Sequence, residues 1–208
     1  MGRTRVKICG ITRPEDGRMA AAAGADAVGL VFHPDSPRAV TPERAAEIRA
    51  ALPPFVTAVG LFVDPDRQQV AQTLAACPLD LLQFHGGESP GLCGAFDRPY
   101  IKAVRVGPDT DLGEAAQRYG ADRLLLDAYV PGQAGGTGRT FRWSLIPAEL
   151  ASRVVLAGGL DADNVGEAVR AVGPYAVDAS SGVEERPGVK SAVRVAAFIQ
   201  GVRDADRG

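Results

Sequence analysis

Val154-Val155-Leu156-Ala157-Gly158-Gly159-Leu160-Asp161 and, further on, Tyr175-Ala176-Val177-Asp178-Ala179-Ser180-Ser181-Gly182-Val183-Glu184 are the stretches on which the fold is read. Each is a short, nearly unbroken apolar run that ends in a turn of glycine or serine. Between them, Asp161 to Val172 places apolar residues three and four apart. A strand buried on both faces reads as a continuous apolar run, whereas a helix covering it repeats with a period near 3.6. The pair is therefore strand, turn, helix and strand, with the two strands parallel.

The same unit recurs towards the N-terminus. Val6 to Cys9, Ala27 to Phe32, Thr57 to Val63, Leu79 to Phe84, Ile101 to Val104 and Leu124 to Asp127 read as strands, which with the first two stretches makes eight. Thr41 to Leu52, Asp66 to Ala76 and Asp111 to Tyr119 read as crossover helices. Thr41 can cap its helix with Pro42 in the first turn, and Asp161 stands ahead of another. Eight such units in 208 residues predict an α/β chain closed into a single (β/α)8 TIM barrel with a parallel eight-stranded core. That is compact for a fold of about 250 residues. One catalytic domain over residues 1–208 is expected. An open doubly wound sheet is the alternative topology, but Gly10-Ile11-Thr12-Arg13 after the first strand lacks the dinucleotide fingerprint. The sixth unit is the weakest: Ala128 to Arg142 is glycine-rich, and Pro131 to Thr140 reads as a long, mobile lid over the site.

Composition narrows the partners. The chain is 46% hydrophobic, enough for one core, and its net charge of -2 comes with scattered Lys and Arg. No footprint for nucleic acid or an anionic membrane is present, so a small soluble substrate is the expected partner, a phosphorylated one if the two glycine turns bind phosphate. Cys9, Cys77 and Cys93 are odd in number and lack metal-type spacing, which points to a reducing, cytoplasmic compartment. His33 and His85 are the only histidines, so no metal site is expected. Monomer and homodimer both stay open.

Candidate functional residues follow from barrel geometry. Phosphate needs converging N–H donors, which Gly158 and Gly159 after strand seven, and Ser180, Ser181 and Gly182 after strand eight, would supply where this fold commonly binds it. The plainer reading is that these residues only permit tight turns. Cys9, His85, Asp127 and Asp178 stand at C-terminal ends of strands, where catalytic side chains gather. A thiol and a carboxylic acid facing each other suit an enolisation or aldose–ketose isomerisation. Core filling by Cys9 and loop capping by Asp127 are the structural alternatives. Arg38, in a loop stiffened by Pro34 and Pro37, could hold a carboxylate in bidentate fashion. Lys7 shares the inward face of its strand with Cys9; it is expected to pair with Asp178 and to help hold Cys9 as thiolate.

These residues resemble the phosphoribosylanthranilate isomerases of tryptophan biosynthesis over nearly the whole chain. The resemblance rests on Val6-Lys7-Ile8-Cys9-Gly10-Ile11-Thr12, Gly29-Leu30-Val31-Phe32, Ser36-Pro37-Arg38, Val59-Gly60-Leu61-Phe62-Val63, Leu82-Gln83-Phe84-His85-Gly86 and Gly135-Gly136-Thr137-Gly138, followed by the two stretches quoted first. It implies a cofactor-free Amadori rearrangement of N-(5-phosphoribosyl)anthranilate to 1-(2-carboxyphenylamino)-1-deoxyribulose 5-phosphate. By the same resemblance Asp127 is the general acid, Cys9 the base and Arg38 the carboxylate ligand. The glycine turns hold phosphate, Asp178 or His85 meets sugar hydroxyls, and Gly135 to Gly138 belong to the mobile loop. Ser191 replaces a usual Asp and Phe84 a commoner Leu; Ser191 can still cap the final helix. A histidine-pathway or dual-substrate barrel would carry Asp in place of Cys9, and a metal-dependent epimerase more histidines. A barrel that only binds a phosphorylated ligand would have lost Cys9, Asp127 or Arg38; all three are present.

Overall fold

The computed structural model describes residues 2–119, 124–128 and 141–208. The expected lid, Pro131 to Thr140 with Gly135 to Gly138, lies outside the described residues. Strands β1 (Arg5–Cys9), β2 (Ala27–Val31), β3 (Thr57–Phe62), β4 (Leu81–Phe84), β5 (Tyr100–Val106), β6 (Leu124–Ala128), β7 (Val155–Leu156) and β8 (Ala176–Ala179) form a closed barrel in chain order. Every pairing is parallel, and β1 closes on β8 with Lys7 opposite Asp178. The chain is thus a (β/α)8 barrel, and the open sheet is excluded by the β1–β8 pairing.

Helices α1 (Pro14–Ala23), α2 (Pro42–Ala51), α3 (Arg67–Ala76), α4 (Pro90–Cys93), α5 (Leu112–Tyr119), α6 (Ala148–Ala151), α7 (Val165–Val172) and α8 (Ala192–Arg207) cover its outside. Their starts obey local chemistry. The side chains of Thr41, Asp66 and Ser191 accept hydrogen bonds from the N–H groups of Arg44, Gln69 and Arg194, which would otherwise be orphaned at the first turn. Asp161 behaves differently from its expectation. Its Oδ1 accepts from the N–H groups of Asp163 and Asn164, which holds a separate turn, and α7 starts only at Val165. An aspartate that bonds two residues ahead favours such a turn over helix continuation.

Two apolar layers fix the barrel. Phe32, Phe62 and Phe84 pack ring against ring between strands and helices, with centroids 5.1 and 6.3 Å apart. Inside, Ile101, Ala103, Leu125, Val155 and Ala176 fill the lower barrel with smaller side chains. Alternation along each strand leaves the polar inward residues at the C-terminal mouth. A small antiparallel hairpin, β9 (Glu184–Arg186) and β10 (Val189–Lys190), follows β8 and was not anticipated. It is stitched to the first unit: the Thr12 hydroxyl donates to Gly188 O at 2.5 Å, and Lys190 N donates to Asp16 Oδ2 at 3.1 Å. Among the described residues no helix is long and apolar enough to cross a membrane.

Candidate active site

A cavity of about 510 Å³ opens at the C-terminal end of the strands. Cys9, Arg38, His85, Asp127, Gly158, Gly159, Asp178, Ser180 and Ser181, all singled out from sequence, line it. Gly182 stands behind the wall. A Cβ on it would lie 2.2 Å from Leu160 O, so a side chain there would force apart the two turns that the phosphate reading joins. Gly158 has φ +83° and a Cβ on it would sit 2.6 Å from Ala128 N and 3.2 Å from Asp127 Oδ1. Its bareness therefore serves the turn and also makes room for the candidate acid. Because α7 begins several residues later, a helix dipole adds little at Gly158 and Gly159. The second turn does run into a short 3₁₀ segment, Ser181–Val183.

The closing seam supplies the charges below Cys9. Lys7 Nζ donates to Asp178 Oδ1 at 2.8 Å, as the register expects, and both side chains are buried. Burial works against the Lys7 ammonium, but the charge and hydrogen bond of Asp178 oppose it, and its pKa stands above the usual lysine value. Cys9 departs from the expectation that Lys7 keeps it as thiolate. Burial pushes the thiol up, Asp178 adds to the rise, and the pull of Lys7 and Lys190 does not reverse it. These surroundings favour the neutral thiol of Cys9.

Arg38 reaches the cavity from the loop after β2, where Ala39 bridges back to Val31 and Ser36 Oγ accepts from Arg38 N at 3.2 Å. Its guanidinium is already gripped on one edge. Nε and Nη2 donate to Glu184 Oε1 and Oε2, each at 2.8 Å. Lys190 Nζ also donates to Glu184 Oε1, at 2.8 Å, and to Ser180 O at 3.1 Å. Burial opposes the Glu184 carboxylate, yet Arg38 and Lys190 hold its pKa below the usual range; burial in turn lowers that of Lys190.

On the opposite wall Asp127 Oδ1 accepts from Ala128 N at 2.9 Å, and Oδ2 lies 3.1 Å from His85 Nε2. The other ring nitrogen, Nδ1, is 3.0 Å from Gln83 Nε2. Both His85 nitrogens are thus within hydrogen-bond distance of protein groups. Glu184, Lys190 and Gln83 were not singled out from sequence as functional residues. Gln83 was detectable, since a glutamine two residues before His85 in an apolar strand shares its inward face. Lys190 lies on the unforeseen hairpin and gave no such signal. Among the described residues no group of three or more His, Cys, Asp or Glu could hold a metal ion.

Comparison with known proteins completes the description. The family model described as N-(5'phosphoribosyl)anthranilate (PRA) isomerase matches residues 6–201. The N-(5'-phosphoribosyl)anthranilate isomerase of Pseudomonas aeruginosa is 58% identical over 208 residues, covering 100% of this chain and 99% of its own. A solved phosphoribosyl anthranilate isomerase in complex with reduced 1-(o-carboxyphenylamino)-1-deoxyribulose 5-phosphate is 39% identical, with TM-score 0.85 over 97% of this chain and 99% of its own. Another, described as monomers generated from the dimeric isomerase of Thermotoga maritima, is 38% identical with TM-score 0.85 and the same coverage.

Proposed function

Because this chain belongs to the N-(5'-phosphoribosyl)anthranilate isomerase family, we propose that its own Cys9 and Asp127 are the base and acid of that family's reaction. The protein is an isomerase of tryptophan biosynthesis, converting N-(5'-phosphoribosyl)anthranilate to 1-(2-carboxyphenylamino)-1-deoxyribulose 5-phosphate. The observation that carries the assignment is that a thiol and a carboxyl line one cavity together with a cation and two small-residue turns.

Asp127 protonates the furanose ring oxygen, the bond from that oxygen to C1′ breaks, and the anilino nitrogen becomes a cationic Schiff base. That new charge near Cys9 favours the thiolate against the burial that keeps it neutral beforehand. The thiolate takes the C2′ proton to give an enolamine, which tautomerises to the ketone. C1′ is reduced as C2′ is oxidised within the one substrate, so no external oxidant or reductant is needed and proton transfers suffice. Arg38 holds the anthranilate carboxylate through the edge that Glu184 leaves open. Gly158, Gly159, Ser180 and Ser181 face the phosphate, with Gly182 holding the two turns together. Asp178 Oδ2 remains for a sugar hydroxyl, as Oδ1 is committed to Lys7. The loss of anthranilate-type fluorescence as substrate is consumed should slow by two orders of magnitude or more in Cys9→Ala and in Asp127→Asn. Full activity in either variant removes the assignment.

The same reading takes residues 1–208 as one catalytic barrel in the cytoplasm, consistent with three buried free cysteines. It also takes the protein as a homodimer. Phe55, between α2 and β3, is wholly exposed at 103% and has φ 69°, a conformation bulky side chains rarely adopt. A cavity of about 530 Å³ lined by Thr57, Pro99, Tyr100 and Ile101 opens at the same N-terminal end of the barrel. A second copy of the chain can offer each Phe55 such a cavity while leaving both catalytic mouths free.

A further inference from the structure

Gln83 and His85 have no part in the scheme above, yet they stand directly behind its acid. They alternate on the inward face of β4, which puts Gln83 Nε2 at 3.0 Å from His85 Nδ1 and His85 Nε2 at 3.1 Å from Asp127 Oδ2. Gln83 is fully buried, His85 and Asp127 nearly so. The three side chains line the floor of the cavity with little surface exposed, and both ring nitrogens of His85 are taken by its two neighbours.

A neutral imidazole carries one N–H, and the partner of one nitrogen decides which nitrogen bears it. An amide N–H pointing into Nδ1 requires Nδ1 to be the bare nitrogen. The proton then resides on Nε2, and His85 donates to Asp127. That direction matters for an acid. With the opposite tautomer a bare Nε2 would face the Asp127 carboxyl across 3.1 Å, and imidazole is ordinarily a stronger base than a carboxylate. The ring would take the proton that Asp127 must deliver to the substrate. With Nε2–H already in place, the ring cannot accept it, and the interaction only orients the carboxyl.

We propose that Gln83 is a tautomer lock: it fixes His85 as the Nε2–H form, so that His85 orients Asp127 without competing for its proton. Gln83 and His85 are positioning residues that act through Asp127. Gln83 Oε1, buried and without a hydrogen-bond partner among the described residues, marks the cost of this orientation. Reversing the amide would put Oε1 on Nδ1 and impose the unproductive tautomer.

The inference rests on Asp127 being the acid, and the two can be tested apart. With only His33 and His85 in the chain, ¹⁵N-labelled imidazoles are assigned by comparing the wild type with His33→Gln. The wild-type enzyme, free and bound to a reduced product analogue, should show His85 as Nε2–H. A Nδ1–H ring in the free enzyme overturns the lock whatever Asp127 does, whereas an active Asp127→Asn variant overturns the acid assignment and leaves the tautomer result standing. Gln83→Glu should put a proton on Nδ1 and lower kcat at least tenfold with KM within threefold. His85→Gln, which keeps an N–H donor of similar reach, should retain more kcat than His85→Leu at matched thermal stability. Wild-type kcat in Gln83→Glu, or equal losses in the two His85 variants, also overturns the lock. If Gln83→Glu does not fold, the wild-type spectrum decides.

Discussion

Arg38 has two hydrogen-bonding edges, and the proposed function gives each a different task. Glu184 occupies the edge formed by Nε and Nη2, which fixes the guanidinium plane and leaves the Nη1 end for a planar carboxylate. In Glu184→Gln the amide offers one acceptor where two donors converge, so Arg38 is freed to rotate. KM for phosphoribosylanthranilate should rise about tenfold, with kcat within threefold. An unchanged KM in steady-state kinetics would show that Arg38 needs no such support. Cys9 yields a prediction of definite sign. Its thiol is raised by burial and by Asp178, while Lys7 pulls the other way. Removing that pull in Lys7→Met raises the thiol further, so the ascending limb of kcat/KM against pH moves to higher pH. Asp178→Asn on the same background removes the opposing charge and should bring the limb part of the way back. A limb that stays in place in both variants would separate Lys7 from the base. Gly158 also changes its meaning at this scale: a Gly158→Val variant strikes Ala128 and Asp127, so it lowers kcat as well as phosphate affinity.

Among elements, the loop from β4 to α4 is held by a buried charge pair that leaves catalysis aside. Lys102 on β5 donates to Glu88 Oε2 at 2.9 Å and to Gly86 O at 2.6 Å, while Glu88 Oε1 accepts from Asp64 N and Gly86 N. Burial opposes the Glu88 carboxylate, but Lys102 and the backbone N–H groups of Glu88 and Asp64 hold its pKa below the usual glutamate range. Its contribution to stability is therefore complete above roughly pH 5 and disappears as pH falls through the lower folded value. Lys102→Met leaves Glu88 charged and buried and should cost about 3–5 kcal/mol in urea unfolding. Adding Glu88→Leu should recover most of that loss; an additive double variant would contradict the pairing. The elements themselves were legible because eight apolar runs and amphipathic intervals repeat with so few interruptions, and because Thr41, Asp66 and Ser191 carry side chains that can only help at a helix start. The start of α7 was misplaced since Asp161 satisfies its neighbours in a turn of its own. The hairpin of β9 and β10 escaped because Glu184 to Lys190 shows charge and Pro-Gly but no apolar alternation; what holds it is long-range, through Thr12, Asp16 and Arg38. The site was legible wherever a reactive side chain ended an apolar strand, as with Cys9 and Asp127. It was illegible where function depends on one side chain orienting another, as Glu184 does for Arg38.

For the whole molecule, the proposed dimer would divide the two ends of the barrel between chemistry and assembly. Every candidate reactive side chain opens towards the C-terminal mouth, while Phe55 projects from the loop at the other end. Within one chain this residue is costly, since a left-handed backbone and a ring left uncovered by the described residues both raise the free energy. Burying it reciprocally in a second copy supplies the offset twice, about 1.5–3 kcal/mol for each ring. Sedimentation velocity should accordingly find the wild type as a dimer at micromolar concentration, and Phe55→Glu as a monomer, its dissociation constant raised on the order of 100-fold or more. Since the ring is remote from the cavity of Cys9 and Asp127, kcat and KM of the monomeric variant should stay within about twofold at temperatures where it remains folded, while its melting temperature falls and loses its dependence on protein concentration. A wild type that sediments as a monomer at every concentration would end the dimer reading, and a monomeric variant with collapsed kcat would mean that the two ends of the barrel are coupled after all.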